Sequence, residues 1–172
     1  VAISGTSVLA ARRGPELQAR LARSQARLDA SPPAAASLLD SQPREHESFW
    51  AWDFHEATDY ALQARLRHAS QQVWIYVEDG AEVSNLAIAV LARAFEDQIQ
   101  PRLRAEFGRE PFPGVDGREA ITVLLLDVRD DLHYGRPPYQ YISGYFDPVN
   151  QMTRAELGEA NPRETNEREM IF

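Results

Sequence analysis

Two kinds of residue in this chain could do chemistry: carboxylates near strand ends, and His-Glu pairs. Asp127, Asp130 and Asp131 are followed at some distance by Asp147 and Asn150. Hard oxygen ligands grouped in this way can hold calcium, which takes about 6–8 oxygens from carboxylates, carbonyls and water. The spacing lacks the alternating Asp-x-Asp-x-Asp pattern of a dedicated calcium loop, so the competing reading is a solvated acidic loop with turn-forming aspartates. His46-Glu47 and His55-Glu56 invite a zinc reading, because a helical HExxH motif sets two histidines on one face with a glutamate as base. The second histidine is missing from both, replaced by Trp50 in one and Asp59 in the other. The first pair falls in a linker and the second at a strand end, where residues four apart do not converge. His68, after a strand, and His133, in a loop, read as solvated histidines.

Other chemistries are excluded by composition. There is no cysteine, hence no disulfide framework, thiolate nucleophile or cysteine zinc site. All 18 basic residues are arginine, which removes Schiff-base and phosphate-loop lysines. No Gly-rich phosphate loop and no G-x-S-x-G elbow occurs. The net charge of −8 argues against a nucleic-acid or anionic-membrane partner, which needs a basic face. No apolar run approaches the ~20 residues that span a bilayer. Trp50, Trp52, Trp74, Tyr76, Tyr134, Tyr139, Tyr141 and Tyr145 could form a carbohydrate or single-strand platform, but alternation within strands makes core packing the commoner explanation.

The elements that would position these residues divide in two. Residues 1–48 hold six arginines against five acidic residues and carry a helical stretch after Gly14-Pro15, with Leu17, Leu21 and Leu28 at helical spacing. Three prolines without period make 31–48 a linker. From Ser48 the texture is that of strands. SFWAWDF places Phe49, Ala51 and Asp53 on one face and Trp50, Trp52 and Phe54 on the other. Tyr60, Leu62, Ala64 and Leu66 alternate, and VWIYVE at 73–78 completes an antiparallel meander. A long helix over 82–107 follows, with Val83, Leu86, Val90, Phe95, Ile99 and Leu103 near one face, a kink or break expected at Pro101, and Gly108 closing it. ITVLLLDV at 121–128 reads as a strand buried on both faces, the sort that helices cover. YISGYFD at 141–147 reads as an edge strand in which Gly144 marks a bulge or a close backbone approach. A short helix near Arg154–Leu157 and a last strand at REMIF complete an α+β order. The valine at position 1 and the apolar close Glu169-Met170-Ile171-Phe172 predict a piece of a longer protein.

VWIYVED, AFEDQIQPRL, PGVDGREAITVLLLDVRD, ISGYFDPVN and NEREMIF, in this order, resemble the front part of bacterial secreted zinc metallopeptidases of the hyicolysin type. The similarity spans roughly residues 49–172, and its most specific pieces are Ile121–Asp127 with Arg129-Asp130, Gly144–Pro148 and Asn166–Met170. It implies a zincin-like N-terminal subdomain: a mixed, twisted sheet with one long backing helix, preceded by a pro-type or linker segment over 1–48. In such folds the substrate pairs with the edge strand by strand addition. The resemblance therefore implies that Ser143, Gly144 and Tyr145 contact a peptide or protein substrate. It also implies zinc in the complete protein, a C-terminal half that supplies the HExxH helix, and secretion or a cell-envelope location. No zinc ligand or general base carries over onto these residues. Calcium at Asp127, Asp130 and Asp147 stays open. The rival expectation is a non-enzymatic binding module or propeptide on the same scaffold.

Overall fold

The computed structural model describes residues 42–172 apart from 111, 113, 138 and 139. The helix and most of the linker expected over 1–41, and Tyr139, lie outside the described residues. The chain is α+β, with a curled five-stranded mixed sheet in the order β1-β2-β3-β4-β5. Its strands are β1 (His46–Asp53), β2 (Thr58–Ala69), β3 (Val73–Glu78), β4 (Ile121–Leu125) and β5 (Met170–Ile171). The first three pair antiparallel, as the alternation predicts, and β3-β4 and β4-β5 pair parallel. His46 and Glu47 belong to β1, so the strand begins inside the stretch read as linker.

The period-2 pattern of β1 and β2 sorts their side chains as expected. Phe49, Ala51 and Asp53 are buried from β1, and Tyr60, Leu62 and Ala64 from β2. With Trp74 and Tyr76 of β3, Leu124, Met170 and Phe172 they fill the inside of the curl. The other face of β3, Val73, Ile75 and Val77, packs with Val123 beneath a helix. One layer covering β3 is thus helical and the other is the sheet folded over itself.

That helix has three consecutive parts: α1 (Asn85–Ala94), a π turn (Phe95–Ile99) and α2 (Gln100–Phe107). Ser84 caps it by accepting from the Ala87 N–H at 3.1 Å, and Gly108, at φ 86°, ends it. Pro101 does not break it. A proline lacks the N–H for the preceding turn and crowds the carbonyl four residues back, and the wider π turn before it absorbs both defects. The apolar face expected from the spacing is corrected in part. Ile88, Leu91, Ala92 and Phe95 pack on the sheet, whereas Leu86, Val90, Ile99 and Leu103 point to solvent. The run LAIAVLA is apolar on most sides, and the π turn shifts the phase of everything after it, so a 3.6-residue period read across 83–103 joins two different faces.

The free edge of β1 does not stay open. The Asn166 side-chain amide accepts from the Trp50 N–H and donates to the Trp50 carbonyl, both at 2.8 Å, as a neighbouring strand would. Trp52 N–H donates to the Tyr145 hydroxyl at 3.0 Å, and Phe54 N–H to the Arg129 carbonyl at 2.8 Å. Edge strands left bare invite pairing between chains. Asn166→Ala is therefore expected to lower stability in urea by about 1–2 kcal/mol and to introduce concentration-dependent association seen by light scattering.

Candidate functional site

Beyond β4 the chain leaves the sheet, turns through 127–136 and returns as the extended segment 140–147. This returning segment is not the strand expected of YISGYFD. Among the described residues, only Tyr145 forms a sheet-like pair: its N–H donates to the Phe172 carbonyl at 2.9 Å and its carbonyl accepts from the Phe172 N–H at 3.0 Å. Mutual exchange of this kind is the hydrogen-bonded step of an antiparallel ladder. Gly144 does mark a close backbone approach, but to this chain's own end: a Cβ there would lie 2.8 Å from the Phe172 carbonyl oxygen. Among the described residues, no hydrogen bond is made by the main-chain groups of Gly144 or Phe146.

Asp130 organises the loop. It is buried, and its carboxylate accepts from the His133 N–H at 3.0 Å and the Ile142 N–H at 2.7 Å, tying the outgoing limb to the returning one. Burial alone would raise its pKa. The N–H groups of His133, Ile142 and Leu132 outweigh that and hold it below the ordinary aspartate value. Because the folded value is depressed, this stabilisation is present above the unfolded value of about 3.9 and is lost as pH falls through the folded one. Asp130→Asn is expected to cost about 2 kcal/mol at pH 7, and the gap to wild type should close below about pH 4 in denaturation curves run across pH.

The fold brings Asp127, Asp130 and Ser143 to the wall of one cavity of about 360 Å³ between the end of β4 and the returning segment. His133 joins them: its Nδ1 lies 2.8 Å from the Asp127 carboxylate. Gly144 and Tyr145 follow immediately along the chain. Asp147 is held elsewhere. It caps the short 3-10 turn Pro148–Gln151 through the Val149 N–H at 3.0 Å, and its other oxygen meets the Arg163 guanidinium. The three aspartates expected as calcium ligands thus do three different jobs.

Zinc finds no gathered ligands either. His46 sits in β1 beside Arg65, His68 in β2 near Glu96, and His133 pairs with Asp127. His55 lies in the β1–β2 turn, with Nδ1 2.8 Å from Asp131 Oδ1 and Arg136 on its Nε2. Among the described residues, no three histidines or carboxylates form a metal-holding group. These residues do not fit a zinc ion, and no catalytic step follows from one on them.

Sequence reasoning passed over Asp53. It is buried at the end of β1; its Oδ1 accepts from the N–H groups of His55 and Glu56 at 2.9 and 2.8 Å, and Oδ2 from the Tyr134 hydroxyl. This one carboxylate joins the β1–β2 turn to the loop that forms the cavity. The only signal in the sequence was a buried-face aspartate in line with Phe49 and Ala51.

No protein-family profile matches the chain, and no curated protein sequence matches it.

Proposed function

We propose that this chain is a non-catalytic, sheet-bearing portion of a secreted zinc-dependent endopeptidase, with the segment 141–147 as the side on which the peptide substrate lies. The observation that carries the reading is the Tyr145–Phe172 pair, which holds the segment beside β5 and leaves the main-chain groups of Gly144 and Phe146 without partners among the described residues. An extended peptide adds to such an edge through its own main chain. The element order also supports it. A strand, a backing helix, a buried parallel strand and an outer extended segment follow one another in the order that the resemblance to hyicolysin-type peptidases implies.

The rival reading is a peptide-binding module on the same scaffold, without hydrolysis. It shares the open edge and differs in chemistry. Elemental analysis of the natural full-length polypeptide, with cleavage of a quenched fluorescent peptide before and after chelation, separates the two. Zinc near one equivalent with chelator-sensitive cleavage is expected of the peptidase portion. A zinc-free, inactive natural product sinks that reading and leaves the binding module.

A further inference from the structure

The open edge has an acidic neighbour. We propose that the strand added along Gly144 and Phe146 is selected for a basic side chain, arginine or lysine, which enters the cavity beside Ser143. The inference deepens the peptide-edge reading above and rests on it.

What carries it is the edge together with the charge at its flank. Among the described residues, the cavity wall includes Asp127 and Asp130 and no arginine. Asp130 is fully occupied by main-chain N–H groups and sits at the buried end. Asp127 is the available anion: its side chain is 73% exposed, His133 meets one oxygen, and no cation lies on it among the described residues. Successive side chains of an added strand point to opposite faces, so one face of the peptide is presented to this wall. A glutamate there would face two carboxylates, whereas an arginine or lysine would complete the charge. The net charge of −8 draws the same ligands from a distance.

The test uses the full chain and capped heptapeptides of a neutral, extended background with arginine, alanine or glutamate at the central position. The arginine peptide is expected to bind about tenfold tighter than the glutamate peptide at low salt, a preference that shrinks at high ionic strength. Hydrogen exchange should show new protection at the Gly144 and Phe146 amides when it binds. Asp127→Asn should bring the arginine-to-glutamate ratio near one without shifting the unfolding midpoint, because this side chain is exposed. Equal affinity for all three peptides overturns the inference and leaves strand addition standing. An arginine preference unchanged by Asp127→Asn overturns it as well. If no peptide protects those amides, strand addition fails and the inference with it. Protection already present without peptide, from another segment or a second copy, also overturns it.

Discussion

Asp53→Ala is expected to destabilise the protein by about 2–4 kcal/mol, because it leaves three donors without their acceptor at a buried position. The residue is 2% exposed. Two of its donors are the N–H groups of His55 and Glu56 in the β1–β2 turn, where Ala57 takes φ 51°. That conformation is strained for a residue with a Cβ and persists only where the surroundings enforce it. The third donor is the Tyr134 hydroxyl, 81 positions away. Burial opposes the ionised form, but the Glu56 N–H, the Tyr134 hydroxyl, the His55 N–H and the Arg129 charge together hold the pKa below the ordinary value. Asp53→Asn retains an acceptor for both turn amides, and its NH₂ can donate to the tyrosine oxygen, so about 1–2 kcal/mol is expected there. Tyr134→Phe, which removes one donor with its bond, should cost about 1 kcal/mol. Urea denaturation of the three variants gives the ranking. An alanine variant no weaker than Tyr134→Phe would show that the turn holds without its carboxylate. Asp53→Ala also removes one of the ties between the 127–136 loop and the β1–β2 turn, alongside Phe54–Arg129 and His55–Asp131, so the peptide binding proposed above should weaken as well.

Local pattern reveals β1 to β3: β1 and β2 each have one face in the curl and alternate accordingly, and β3 is apolar nearly throughout because its second face lies under α1. The same reasoning misjudged YISGYFD. Its composition is that of a strand, but a ladder needs a partner of matching length, and β5 spans only Met170–Ile171. The helix face was illegible for a different reason: α1 is apolar nearly all round, and a π turn has no periodic signature. The cavity was partly legible. Asp127 and Asp130 follow a buried strand directly, and Ser143 lies on the segment that returns beside it. Asp53 with Tyr134, and His55 with Asp131, are joined across more than 70 positions, and nothing in either local sequence announces the other.

Arg163 is the clearest such case, and removing it is expected to cost about 3–4 kcal/mol at pH 7. Its Nε and Nη2 donate to the two oxygens of Asp59 at 2.9 and 3.1 Å, the same Nη2 meets Asp147, and the guanidinium lies 3.9 Å over the Trp52 ring. One side chain therefore fastens the turn end of β2, the outer face of β1 and the segment leading out of 141–147. The side chain of Asp59 is 8% exposed and that of Asp147 14%, so Arg163→Ala leaves two poorly hydrated carboxylates without the cation between them. Arg163→Lys should recover little, since an ammonium cannot bond both oxygens of Asp59 in plane while stacking on an indole. The loss has two sources to be told apart: repulsion between the bared carboxylates, and the missing Trp52 stacking with the packing of the arginine stem. Arg163→Ala with Asp59→Asn and Asp147→Asn then separates the two: removing both charges should restore much of the lost stability if repulsion is the cause, and none of it if the stem is.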